Sequence, residues 1–352
     1  MRCSVKCWRA LSSDKKGFEK SVYTMAYLCY NTLGGVTMKI VITDGDTVFD
    51  SKVTAEVFEK YGEVVCYPLT GEEELLERIQ DADVVLCNKT WFGKREMDAA
   101  KNLKYIGIFA TGYNNVDTAY ARQKGITVCN APGYSTEAVA QHAFALLLQA
   151  MNRVGDYHRI VSQGDWKTSP TFSMFPFPLY ELSGKTLGIV GYGAIGRRVA
   201  EIAKAFRMKV LVHNRSRVQD DTVTQVPFET LLRESDVVSL HCPLNSDSEN
   251  LMNAQAFEKM KQGAVLINTA RGPVVDENAL KAALLSGKLL AAGIDVLCRE
   301  PMAQDCPLFG IPNCYITPHV AWAGLETRMR LVSVVEESLK AFLDGAPINV
   351  VS

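Results

Sequence analysis

Three polar residues each follow an apolar run that reads as a strand. Arg271 stands in Asn268-Thr-Ala-Arg-Gly272, Glu300 in Asp295-Val-Leu-Cys-Arg-Glu-Pro301, and His319 in Thr317-Pro-His-Val-Ala-Trp322. An imidazole is the side chain best poised to exchange a proton near neutral pH. A carboxylate beside it stabilises the imidazolium and fixes the tautomer. A guanidinium binds a carboxylate in a two-pronged fork and polarises a carbonyl oxygen. Together these suit hydride transfer between a secondary alcohol and a ketone next to a carboxylate. Each residue alone has a plainer reading, a structural histidine or an Arg–Glu salt bridge. Ligands of open α/β sheets bind outside the carboxyl ends of the strands, so the joint pattern favours one crevice.

A hydride carrier has its own signal upstream. Thr186-Leu-Gly-Ile-Val-Gly191-Tyr-Gly193-Ala-Ile-Gly196 follows an apolar strand, opens the helix-like Arg197–Phe206, and precedes a second strand at Lys209–His213. A bare GxGxxG is weak, but this strand–turn–helix–strand context is the one a dinucleotide requires. Gly191 allows the tight turn, Gly193 the approach of a pyrophosphate, and Gly196 close helix–strand packing. The helix N-terminus offers N–H groups to the phosphates. An acid at the end of the second strand would select NAD. The chain has His213-Asn214-Arg215-Ser216-Arg217 there instead. Two guanidiniums can grip a 2′-phosphate, so the expectation leans to NADP(H), or dual use, over strict NAD(H).

The elements that must position these groups alternate. Ile40–Thr43, Glu63–Tyr67, Val84–Cys87 and Tyr105–Phe109 read as strands, with helices at Thr54–Tyr61, Glu72–Ile79 and Lys94–Lys101 between them. A helix over Ala138–Met151 and a Pro-rich arm at Ser169–Pro178 lead to further strands at Thr186–Val190, Lys209–His213, Val237–His241, Val265–Asn268, Ala292–Val296 and Tyr315–Thr317. A last helix covers Glu326–Leu343. This alternation predicts parallel sheets with crossover helices.

The 352 residues carry 38 Lys plus Arg and 39 Asp plus Glu, for a net charge of -1. That balance argues against a nucleic-acid partner, which favours a basic excess. The apolar stretches, such as Ala143–Leu148, are too short to span a membrane. Ten cysteines are scattered without CxxC or zinc spacing, which predicts no metal and reduced thiols in a cytoplasmic protein. Cys66, Cys87, Cys129 and Cys242 sit in apolar runs and are expected to be buried. Residues 1–37 lack a sustained period and read as a disordered extension. Translation is expected to start at Met38, because Gly34-Gly35-Val36-Thr37 is what a purine-rich ribosome-binding sequence gives when translated.

From Met38 onward the chain resembles the D-isomer-specific 2-hydroxyacid dehydrogenases. The resemblance runs through Val36–Asp44, Thr111-Gly-Tyr-Asn-Asn-Val-Asp117, Asn130-Ala-Pro-Gly-Tyr-Ser-Thr136, Gly191–Gly196, His241-Cys-Pro-Leu244, Asn268–Gly272, Asp295–Pro301 and Pro318–Trp322. Gly133-Tyr-Ser-Thr136 and Ala321-Trp-Ala323 are most similar to the glycerate dehydrogenase (hydroxypyruvate reductase) branch. The resemblance implies His319 as acid/base, Glu300 as its partner and Arg271 as carboxylate and carbonyl binder. With the residue reading above, which adds Gly191, Gly193, Gly196 and Arg215, it assigns Thr136, Tyr192, Ala194, Ile195, Asn214, Ser216, Cys242, Pro243, Ser248, Thr269, Ala270 and Asp295 to the dinucleotide. It places Lys89, Thr90, Thr111, Gly112, Tyr113 and Trp322, with Arg271, on the substrate side.

The implied fold is α/β, with two doubly wound parallel-sheet domains. A Rossmann dinucleotide domain (138–321) is inserted into a flavodoxin-like substrate domain (38–137 plus 322–352), with the substrate between them. The implied assembly is a homodimer, with the 138–151 helix and the Phe172–Tyr180 arm as contact candidates. The implied reaction is NAD(P)H-dependent reduction of hydroxypyruvate or glyoxylate. D-lactate or D-3-phosphoglycerate are alternatives within the family. The absence of a long segment after residue 350 argues against a regulated phosphoglycerate enzyme and against a rival of another class, a dinucleotide-sensing corepressor-like binding protein.

Overall fold

Runs of β-branched and aliphatic residues, buried on both faces, make the central strands, as parallel sheets covered by helices require. The computed structural model describes residues 37–352. The expectations for residues 1–36, including Cys3 and Cys7, lie outside the described residues. The first sheet holds β1 (Lys39–Ile42), β2 (Glu63–Cys66), β3 (Val84–Cys87), β4 (Tyr105–Ile108) and β5 (Thr127–Cys129). All pair in parallel in the order β2-β1-β3-β4-β5, the flavodoxin-like order.

The second sheet holds β6 (Thr186–Val190), β7 (Lys209–His213), β8 (Thr224–Gln225), β9 (Val237–Leu240), β10 (Ala264–Asn268), β11 (Leu289–Ile294) and β12 (Cys314–Ile316). Its order is β12-β11-β10-β9-β6-β7-β8, again all parallel. Strand order reverses between β6 and β9, which is the topological switch point of a Rossmann sheet and the place where such sheets bind ligands. The fold is therefore α/β with two doubly wound parallel sheets.

The chain divides into two units. One runs through Tyr134 and resumes over Leu325–Ser352; the other is Ser135–Gly324. In the first, helix Leu325–Leu343 returns to pack on β4, and Tyr105 meets Phe342 with ring centroids 4.9 Å apart. In the second, helix Thr136–Asn152 buries Ala140, Ala143, Phe144, Leu146 and Leu147 against β10 and β11. Gly293 of β11 allows that approach, since a Cβ there would lie 2.7 Å from Leu146 Cβ.

Some local expectations need correction. Thr54–Tyr61 is a 3-10 segment over Glu56–Tyr61 and not an α-helix. It stops at Gly62, whose backbone presses on Met38 O so that β2 can begin. The helix expected over Lys94–Lys101 ends at Ala99. Cys87 and Cys129 are buried as expected, but Cys66 is exposed and Cys242 only half-buried. Cys66 ends strand β2, which is at the edge of the sheet among the described residues. Among the described residues, no helix is long and apolar enough to cross a membrane, and no group of three His, Cys, Asp or Glu could hold a metal ion.

Candidate active site

The glycine-rich loop starts where β6 ends. Gly191 has φ +95°, and a Cβ on it would lie 2.6 Å from Cys242 N. Only glycine fits both demands. Gly193 caps helix Ala194–Ala205, and among the described residues nothing lies within 4 Å of where its Cβ would be. The first turn of a twelve-residue helix therefore opens onto clear space. Gly196 packs on Gly191 O, seating the helix against the turn. The other candidates follow neighbouring strands at the same end of the sheet: Asn214, Arg215 and Ser216 after β7, Cys242 and Pro243 after β9, Thr269 and Ala270 after β10. Thr269 Oγ1 is buried with no hydrogen-bond partner among the described residues, and a buried hydroxyl wants one. These features fit a dinucleotide whose phosphates take helix N–H groups.

Asn214 is tied into its own loop. Its Oδ1 accepts from Tyr192 N at 3.1 Å, and its Nδ2 donates to Ser216 O at 3.1 Å. Arg215 and Arg217 stand exposed beside it. Ser248 is spent on its turn, accepting from Asn245 N at 2.8 Å and donating to Pro243 O at 2.7 Å. Thr136 begins helix Thr136–Asn152. Next to Cys242, burial pushes the His241 imidazole down to about 4.

The candidate acid/base pair is assembled within the same unit. His319 Nδ1 is 2.7 Å from Glu300 Oε2, and Glu300 Oε1 accepts from Leu297 N at 2.9 Å. A carboxylate only accepts, so Nδ1 carries the hydrogen and Nε2 is left as the ring nitrogen that could exchange a proton. His319 has φ +54°, a left-handed conformation unusual for histidine. It is held there by His319 N donating to Asp295 O at 2.8 Å and to Thr317 O at 3.0 Å. Arg271 reaches this group through Gly272. A Cβ on Gly272 would overlap the carbonyl of Leu297 and the amide of Cys298, so the Arg271 loop lies directly against the Glu300 loop. Arg271 Nη1 donates to Ala270 O at 2.7 Å, which anchors one edge of the guanidinium.

Asp295 is held by the protein itself. It is 1 % exposed, and its carboxylate accepts from Val320 N, Ala321 N (both 2.9 Å) and Thr317 Oγ1 (2.6 Å). Burial pushes its carboxyl up, but bonds from His142, Thr317, Ala321 and Val320 outweigh this and hold it below the usual range. The sequence reading missed His142, Thr317 and Gly272 as positioning groups.

In the other unit, buried Asp44 organises the segment that carries Lys89 and Thr90. Its carboxylate accepts from Asn88 N (2.9 Å), Lys89 N (2.5 Å) and Thr90 N (3.0 Å). Thr43 Oγ1 donates to Thr90 Oγ1 at 2.8 Å. Thr111 is fixed by its Oγ1 bond to Ala131 O (2.8 Å) and by Asn130 Nδ2 donating to its carbonyl (2.7 Å). Lys89, Thr111 and Tyr113 are exposed at these loops. Sequence analysis gave Asp44 no positioning role.

Comparison with known proteins bears on this geometry. A family model described as D-isomer specific 2-hydroxyacid dehydrogenase, NAD binding domain, matches residues 144–321. The chain is 41% identical over 321 residues to the hydroxypyruvate reductase of Blautia hydrogenotrophica, covering 90% of this chain and 100% of that protein. The chain belongs to the D-isomer-specific 2-hydroxyacid dehydrogenases. A second relative, the glycerate dehydrogenase of Methylorubrum extorquens, is 39% identical over 322 residues, 90% of this chain and 99% of that one. Among solved structures, an acyclic imino acid reductase (Bsp5) in complex with NADPH and D-Arg is 32% identical, with TM-score 0.79, over 90% of this chain and 100% of that one. This dehydrogenase is thus an oxidoreductase that uses NAD(H) or NADP(H), and its dinucleotide domain contains Arg271, Glu300 and His319.

Proposed function

We propose that this dehydrogenase reduces hydroxypyruvate or glyoxylate to D-glycerate or glycolate with NAD(P)H, reversibly. The observation that carries this reading is the 2.7 Å His319–Glu300 pair, clasped to the Arg271 loop through Gly272. In the reductive direction the His319 imidazolium gives its Nε2 proton to the forming alkoxide, and Glu300 stabilises the positive ring beforehand. In the oxidative direction neutral His319 accepts that proton. Arg271 has donors beyond the one given to Ala270 O; these bind the substrate carboxylate and polarise the adjacent carbonyl. Lys89, Thr90, Thr111, Gly112, Tyr113 and Trp322 are the substrate-side residues in this reading.

When bound, the dinucleotide supplies the hydride. The turn at Gly191–Gly196 would hold its phosphates, and Tyr192, Ala194 and Ile195 line that turn. Thr136, Cys242, Pro243, Ser248, Thr269, Ala270 and Asp295 are proposed to line or brace its site. Arg215, with Asn214 and Ser216, is assigned to the adenosine ribose end, where Asn214 in place of an acid favours NADP(H) or dual use. The working form is proposed to be a cytoplasmic homodimer.

Two relatives of about 40% identity bear the names hydroxypyruvate reductase and glycerate dehydrogenase, which favours this substrate over others in the family. The test is steady-state kinetics of hydroxypyruvate with NADH and NADPH in parallel, alongside pyruvate and 3-phosphohydroxypyruvate. Highest kcat/KM on hydroxypyruvate is expected. Activity on pyruvate or the phosphorylated acid alone would refute the substrate assignment. No turnover together with dinucleotide-dependent assembly would favour a sensor.

A further inference from the structure

We infer that His142 is a positioning residue for His319, acting through Thr317 and Asp295. The inference rests on His319 as the acid/base group, and it begins with a hydrogen count. Thr317 Oγ1 lies 2.6 Å from Asp295 Oδ1 and 2.9 Å from His142 Nε2. A hydroxyl has one hydrogen, and the buried carboxylate can only accept it. Thr317 must therefore accept from His142, so His142 Nε2 carries a proton. The same nitrogen is 3.4 Å from Asp295 Oδ1. His142 thus supplies a fixed donor to a hydroxyl and carboxylate pair beneath the catalytic loop.

That pair holds the loop from below. Asp295 takes Val320 N and Ala321 N on its two carboxylate oxygens, and His319 N on its backbone oxygen. These bonds keep His319 at φ +54°, a conformation that persists only where the surroundings over-determine it. His142 itself is rigid: it sits on helix Thr136–Asn152, whose neighbouring Ala143, Leu146 and Leu147 are core residues. A donor on a packed helix therefore sets the rotor of Thr317. Thr317 orients Asp295, and Asp295 fixes the backbone that points the His319 ring at Glu300. Without the His142 donor, Thr317 can turn its hydrogen away and Asp295 loses its orientation.

The test compares His142→Gln, which keeps an N–H donor near the Nε2 position, with His142→Leu and Thr317→Val, which remove donor and relay. The first readout is kcat and KM for hydroxypyruvate reduction. The leucine and valine variants are expected to lose kcat by roughly 10-fold or more, because small displacements of reacting groups are costly, while KM for the dinucleotide stays near wild type. His142→Gln is expected to restore most of kcat. The second readout needs no substrate. The chain has five histidines, and the downfield Nδ1–H resonance of His319 in its bond to Glu300 can be assigned by single substitution. It is expected to shift or broaden in His142→Leu and Thr317→Val and to stay in His142→Gln. Wild-type kcat and an unmoved resonance in folded His142→Leu or Thr317→Val would overturn the inference. So would a glutamine variant as impaired as leucine. Failure of the wild-type enzyme to reduce hydroxypyruvate would strike the proposed substrate, and the resonance pattern would still decide the role of His142.

Discussion

Gly272→Ala is the sharpest structural perturbation available. The added methyl would overlap three backbone atoms: the Leu297 carbonyl carbon and oxygen and the Cys298 nitrogen. Backbone cannot rotate away as a side chain can. Restoring van der Waals separation takes a retreat of roughly 1 Å or more between the two loops. Leu297 N holds Glu300 Oε1, so the retreat drags Glu300 from His319 and moves Arg271 relative to both. A misplacement of about 1 Å costs about 100-fold in rate, equal to about 2.7 kcal/mol of transition-state stabilisation. The overpacking itself is expected to cost about 1–3 kcal/mol of stability. The assay is kcat/KM for hydroxypyruvate beside a thermal melt. A modest Tm loss with an approximately 100-fold fall in kcat/KM is expected. Dinucleotide affinity, proposed to be set mainly at the β6 turn, should stay near wild type. A folded Gly272→Ala enzyme with wild-type kcat/KM would refute the claim that this contact registers Arg271 against Glu300.

Three further outcomes follow from the same geometry. Asp44→Ala strips the acceptor from Asn88, Lys89 and Thr90 N–H groups; a stability loss of about 1–3 kcal/mol and a raised substrate KM are expected in urea melts and kinetics. His241 is held at about 4 by burial against an ordinary 6.5. The unfolded chain thus takes up a proton that the fold refuses, and stability falls as pH drops from about 6.5 to about 4; urea midpoints across that window should fall in wild type and fall less in His241→Gln. Arg215→Ala should raise KM for NADPH more than for NADH, and an unchanged ratio would remove Arg215 from the 2′-phosphate site.

Continuous apolar runs made the central strands legible, because a parallel strand covered on both faces has no polar alternation to disguise it. β8 has only two residues and offers no such run. The exposure of Cys66 depends on β2 being an edge strand, which is a property of sheet order and not of local sequence. Arg271, Glu300 and His319 could be named because their residue types follow strand-like runs. Their supports could not. Gly272 meets Leu297 across 25 positions, and Asp44 meets Lys89 across 45. The donor role of His142 depends on Thr317, 175 positions away. Such pairings arise when the chain folds, and no local pattern marks them.

The most direct measurement of the central claim is hydroxypyruvate-dependent NAD(P)H oxidation by wild-type enzyme and by His319→Gln, each with a dinucleotide-binding titration. The account predicts turnover in wild type, a loss of about 100- to 10,000-fold in kcat for the variant, and dinucleotide binding retained in both. A variant that turns over at the wild-type rate would contradict it.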